Sequence, residues 1–292
     1  MTLEPSVDVA PVGVGILRRI FSTKVLRDLA RLGTSPVLES VVRMLQRRGQ
    51  PVDRTSLGQI YEVSYVECAR TERIEYVYKN ALVEKKILGR HSLRTASAMF
   101  EVSVGGSKLD ALLLTASASA YEIKTERDEL GKLASQIADY QRAFPKVWVF
   151  TCEKHLSAVE RQVSPSVGIS ILGKRYRIKV VREAESFTAS LDVPSMLRLL
   201  RKRELLDLIG DGGDDLPNTR IFSEALRAAS SGEAVDLNKY VLGILKRRAL
   251  SNTPLAEVLP RSLAASALAL NLNPTQTSRL IDALRSPAAR IV

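Results

Sequence analysis

Asp110 and the run Glu122-Ile123-Lys124 are the residues of this chain whose types and spacing most readily support chemistry. In an extended strand successive side chains alternate sides, so Glu122 and Lys124 project from one face and Tyr121, Ile123 and Thr125 from the other. If the preceding strand folds back through a turn centred near Ser117, Asp110 falls opposite Lys124 and diagonal to Glu122, on that same face. Any register that sets even positions opposite even positions keeps this facing. Two carboxylates held together away from water raise each other's pKa unless a cation is present. A divalent metal solves that problem: two carboxylates, with positions left for water and phosphate, is how Mg²⁺ is usually held. A nearby lysine can then orient a water and stabilise negative charge developing on phosphate. The chemistry such a set would do is phosphodiester hydrolysis. Read instead as an exposed salt bridge, Glu122 and Lys124 would contribute at most about 1 kcal/mol, and neither Asp110 nor the apolar flanks would be accounted for.

The elements that must position these residues can be read from periodicity. The stretches AMFEVSV (98–104), LDALLLT (109–115) and SAYEIKT (119–125) are short and apolar, with Gly105-Gly106 and residues 116–118 as turns between them, and predict an antiparallel meander. Leu130, Leu133, Ile137, Tyr140 and Phe144 alternate steps of three and four and predict a helix over 126–144, ended by Pro145, with Glu126, Asp128 and Glu129 complementing the positive end of its dipole. KVWVFT (146–151), VGISIL (167–172) and RYRIKVV (175–181) predict further strands, the last two after a helix near 153–162. Upstream, helices are predicted over 15–32, 36–46 and 71–88, the last stopped by Gly89. From Asp192 onward the pattern is helical, over 191–209, 218–229, 237–248 and a final pair within 262–284, with a polar break at 210–215. That final pair reads either as a helix-turn-helix or as two packed amphipathic helices. The organisation is therefore a helical region 1–70, a core 71–190 and a helical region 191–292.

Acid on one strand, acid-x-lysine on the next, and the order helix, three strands, helix, strand together resemble the PD-(D/E)XK nuclease superfamily. The resemblance covers roughly 71–182. It implies a restriction-endonuclease-like αβββαβ core flanked by helical regions, an α/β fold, and a Mg²⁺- or Mn²⁺-dependent nuclease. Asp110 and Glu122 would be metal ligands, joined by the backbone carbonyl of Ile123, with Lys124 positioning the attacking water. Gln136 and Tyr140 look like the QxxxY element of one branch of the superfamily and, four residues apart on one helix face, would support the site. Glu75 resembles the additional acidic ligand that several branches carry on the first helix. Leu109 stands where the name-giving proline would precede the acid, a common departure. The superfamily is rich in restriction and defence enzymes, so a role in phage defence or mobile-element biology is an expectation of the resemblance alone.

The whole chain suits that partner. Its 292 residues are 45% hydrophobic and carry 43 Lys+Arg against 32 Asp+Glu, a formal +11, which favours a polyanion, DNA first. No apolar run approaches the roughly 18 residues of a membrane span, and a cytoplasmic location is expected. Cys68, Cys152, His91 and His155 lack zinc-site spacing, so neither a disulfide framework nor structural zinc is expected. His91 precedes the meander, where it could act as a base or be incidental. The alternative function is a catalytically inactive nuclease fold that binds nucleic acid or a protein partner, and the helical flanks could also dock a partner or a second copy of the chain.

Overall fold

The computed structural model describes residues 7–89, 93–173, 176–210, 213, 215–230 and 234–292; His91 lies outside them. In chain order the main elements are α1 (Val14–Ile20), α2 (Thr23–Leu32), α3 (Pro36–Arg47), α4 (Leu57–Thr71), α5 (Glu75–Leu82, continued by a π-helical stretch Val83–Leu88), β1 (Ser97–Val104), β2 (Ser107–Leu114), β3 (Ala118–Ile123), α6 (Leu133–Gln141), β4 (Val147–Thr151), α7 (Leu156–Gln162), β5 (Gly168–Gly173), β6 (Arg177–Arg182), α8 (Val193–Leu197), α9 (Lys202–Ile209), α10 (Asn218–Ala229), α11 (Ala234–Leu250), α12 (Thr253–Val258), α13 (Ala264–Ala269) and α14 (Pro274–Arg285). They form two compact units, residues 1–93 with 252–292 and residues 94–251. These divisions fall elsewhere than the composition suggested: α5 joins the first unit, and α8 to α11 join the sheet.

The first unit is helical. Its two chain segments are stitched together by backbone bonds from Leu57 N–H to the Ser286 carbonyl and from Ala288 N–H to the Thr55 carbonyl. Phe21 stacks on Tyr76 at 4.6 Å, and the buried Tyr61 hydroxyl donates to the Ile20 carbonyl.

The second unit is a six-stranded mixed sheet in the order β1-β2-β3-β4-β5-β6, an α/β arrangement. β1, β2 and β3 form the expected antiparallel meander. Crossovers through α6 and α7 then make β3, β4 and β5 parallel, and β6 returns antiparallel. Every residue of β4 is buried, as a central parallel strand covered on both faces must be. On one face Leu112, Ala120, Val149 and Ile169 pack with Ile137 and Tyr140 of α6 and with Met196 of α8 and Val241 and Leu245 of α11. On the other, Tyr121 stacks on Trp148 at 5.6 Å, and Gly168 is required because a Cβ there would lie 2.5 Å from the indole. The tip of the β1–β2 hairpin is fixed by Gly105, which has φ +59° and whose missing Cβ would fall 2.9 Å from an Asp139 oxygen of α6. Gly105→Ala is therefore expected to destabilise the unit by more than about 1 kcal/mol, seen as a lower thermal midpoint.

Three local expectations are corrected. The β2–β3 turn is centred at residue 116, since Leu114 pairs with Ala118; continuing that register sets Asp110 opposite Glu122, not Lys124. The helix predicted from 126 begins at Leu133, because Asp128 Oδ2 accepts bonds from both the Thr125 N–H and hydroxyl at 2.7 Å and holds a turn after β3. Glu126, Asp128 and Glu129 thus do not start a helix. The segment 191–209 splits into α8 and α9, because Glu204 Oε2 takes the Arg201 N–H at 2.6 Å and makes Arg201, in extended backbone, a new N-cap. Among the described residues, no helix is long and apolar enough to cross a membrane.

Candidate functional site

The meander ladder between β2 and β3 stops at Ala111 paired with Tyr121, and the candidate residues lie just beyond it, where the strands no longer exchange bonds residue for residue. There the Asp110 side chain substitutes for the ladder: its Oδ2 accepts the Ile123 N–H at 2.7 Å. Beyond the end of β3 the chain stays tied to β4, with the Lys124 N–H donating to the Phe150 carbonyl and the buried Thr151 hydroxyl donating to the Lys124 carbonyl at 2.7 Å. Register on β4 pairs Glu122 with Val149, so Glu122 and Lys124 project to the side covered by α6.

Both are buried, at 2% and 8% exposure. Lys124 Nζ lies 2.7 Å from Glu122 Oε1 and donates to Gln136 Oε1 at 2.9 Å. The other Glu122 oxygen, Oε2, accepts from the Tyr140 hydroxyl at 2.7 Å, whose oxygen is also 3.0 Å from the Lys108 carbonyl. One turn of helix therefore places Gln136 on the lysine and Tyr140 on the glutamate. The alternative of an exposed salt bridge does not describe this pair: two charges removed from water need each other and their remaining hydrogen bonds. Burial above all, then the charge of Glu122 and more weakly that of Asp110, push the Tyr140 phenol far above its ordinary range, against a smaller opposing effect of its bond with the Gln136 side chain. Tyr140 thus stays a hydrogen-bond donor at every working pH. Tyr140→Phe is expected to destabilise the unit by about 1.5–3 kcal/mol, the range for a hydrogen bond to a charged group, measurable by urea unfolding.

Asp110 is half-buried. A carboxylate oxygen of Glu101, on β1, lies within 4.8 Å of one of its own. Sequence reasoning passed over Glu101, although a hairpin centred on Gly105-Gly106 sets residue 101 opposite residue 110. Glu101 adopts φ +56° within its strand and pairs with Lys108 at 2.8 Å. A left-handed glutamate in a strand is strained by about 1–3 kcal/mol, and such strain clusters at functional sites. Glu75 lies in the first unit, at the first turn of α5, half-exposed and paired with Lys79. The structure thus brings Asp110, Ile123, Glu122, Lys124, Gln136 and Tyr140 together within one unit. Their donor set, two carboxylates and a carbonyl joined by a third carboxylate from Glu101, consists of hard oxygen atoms suited to Mg²⁺ or Mn²⁺. Cys68 and Cys152 are free and buried, and burial, followed by Glu67 and Glu72, pushes the Cys68 thiol up to about 12, so Cys68 offers no ready thiolate.

No solved structure matches the chain. Among curated proteins, protein cII of Enterobacteria phage P4 is 25% identical over 181 residues, which cover 60% of this chain and 64% of the phage protein. The chain thus spans somewhat less than two thirds of that relative's length. Residues 68–269 match the family described as Bacteriophage P4 protein cII, a span that includes the whole sheet and every candidate residue from Glu75 to Tyr140. With well over half of its length matched in this way, the chain belongs to the Bacteriophage P4 protein cII family.

Proposed function

We propose that the second unit is a restriction-endonuclease-like core that hydrolyses phosphodiester bonds of DNA with the help of Mg²⁺ or Mn²⁺. The observation that carries this reading is the buried Glu122–Lys124 pair, held from α6 by Gln136 and Tyr140 beside an acid on the neighbouring strand that bonds the intervening Ile123 N–H. A merely structural ion pair has no need of that acid. Asp110, Glu122 and the Ile123 carbonyl would hold the metal, with Glu101 available beside Asp110; the ion would polarise the phosphate and lower the pKa of a bound water. Lys124 orients the attacking water and offsets charge growing on the phosphate oxygens. Water oxygen bonds to phosphorus as the bond to the leaving sugar oxygen breaks, and the leaving oxygen takes up a proton. Gln136 and Tyr140 are positioning residues, each holding one charged partner in a fixed rotamer. Glu75 would add a ligand only as the family resemblance implies.

The direct assay incubates the protein with supercoiled plasmid, linear duplex, single-stranded DNA and RNA in Mg²⁺ and in Mn²⁺. Cleavage that is lost in EDTA and in Glu122→Ala supports the reading; identical behaviour of wild type and Glu122→Ala excludes this site as its source.

A second reading, a nuclease fold that binds nucleic acid or a protein partner without cutting, is favoured by one feature. Both oxygens of Glu122 are already engaged, one by Lys124 and the other by Tyr140. Calorimetric titration with Mn²⁺ separates the two, since only the nuclease reading requires binding that weakens in Asp110→Asn. A role in phage defence or mobile-element biology belongs to the same proposal and rests on the resemblance.

A further inference from the structure

The first unit ends in two helices that the candidate site does not use. α13 is an anchoring helix: Ala264, Ala265, Ser266, Ala267 and Leu268 are at most 3% exposed, packed against α2, α5 and α12. The connection through residues 270–273 buries Leu270 and closes on Asn273, which caps α14 reciprocally with Gln276. α14 is of another kind. It buries only Leu280 and Leu284, laid on α2 and α4, while Thr275, Ser278, Arg279 and Asp282 are all exposed. Their spacing of i, i+3, i+4 and i+7 puts them on one face, and that face carries no apolar side chain to anchor a protein partner. On the adjoining α2, Lys24, Arg27 and Arg31 are exposed in a row with the same periodicity, and the Arg279 guanidinium donates to the Arg31 carbonyl, so the polar row and the basic row lie side by side. Asp28, paired with Lys24 at 2.7 Å, and Asp282 are the acids on these rows, leaving an excess of positive charge.

We infer that α14, carried on α2 and α4, is presented to the major groove of duplex DNA, which is wide enough to admit a helix. A helix lying in that groove meets base edges with its exposed face, which assigns Thr275, Ser278 and Arg279 to base reading. Lys24, Arg27 and Arg31 take the flanking phosphates, which fix orientation without sequence information. The inference is independent of the nuclease reading and survives its failure.

The test is selection from a short duplex DNA library with a randomised centre, using the full chain in EDTA so that metal-dependent cleavage cannot intervene. The expected result is enrichment of a defined sequence bound about tenfold or more tightly than an unrelated duplex. Thr275→Ala with Ser278→Ala flattens that preference and leaves affinity for unrelated duplexes. Lys24→Gln with Arg27→Gln weakens all duplexes alike and lowers the slope of log affinity against log salt by about one per charge removed. Melting curves matching wild type show that the variants are folded. An unenriched library, a preference unchanged in the Thr275/Ser278 variant, or duplex RNA competing as well as the selected DNA would each overturn the inference.

Discussion

Lys124→Met is expected to destabilise the sheet unit by roughly 3–5 kcal/mol, the range for removing one partner of a buried pair. Methionine fills the volume of the lysine stem but leaves the Glu122 carboxylate, 2% exposed, without its cation. A buried charge left without its partner is the costly case, and urea unfolding of variant and wild type at neutral pH measures the gap directly. Adding Glu122→Leu to the same chain should recover most of the stability, since apolar residues of similar volume commonly replace a buried ion pair without penalty, and Tyr140 retains the Lys108 carbonyl as acceptor. The double variant should be stable and inactive, which separates the fold's need for a matched pair from the chemistry's need for charge.

Asp110→Asn makes the opposite combination. The Asp110 oxygen that accepts the Ile123 N–H is kept as the amide oxygen of asparagine, and the site is half-exposed, so the unfolding midpoint should stay close to wild type. The negative charge is lost. If Asp110 holds the metal, cleavage should fall by about 10²–10³-fold or more, the scale for removing one preorganised electrostatic group at a reacting centre, and the affinity for Mn²⁺ should fall with it. A stable, inactive Asp110→Asn beside an unstable Lys124→Met would show that the two residues serve different ends, although both belong to one pattern in the sequence.

Much of this arrangement was legible from the residues. The meander, β4, β5 and β6 were visible as short apolar runs between turn residues, and even-to-even pairing was enough to put Asp110 and Glu122 on one face although the turn lies at residue 116. The four-residue spacing of Gln136 and Tyr140 predicted a shared face; what it could not give was the division of labour, Gln136 to Lys124 and Tyr140 to Glu122, which depends on where the helix begins. That start was misread because Glu126, Asp128 and Glu129 suit a first helical turn as well as they suit a loop, and the bonds of Asp128 to Thr125 decide between them. Glu101 was hidden inside an apolar strand, where nothing local marks its left-handed backbone. The allocation of α8 to α11 to the sheet unit was not legible, because amphipathic helices carry no record of which apolar face they will cover. Met196, Val241 and Leu245 could equally have closed a helical bundle, and only the packed core shows them against the strands.

The most direct measurement of the central claim is a time course of supercoiled plasmid in Mn²⁺, run with wild type and Asp110→Asn at matched, melting-verified folded concentrations. The account predicts conversion of supercoiled to nicked or linear DNA by wild type, abolished by EDTA and lost in the variant. Plasmid left intact by wild type, or cut at the same rate by both proteins, would contradict it.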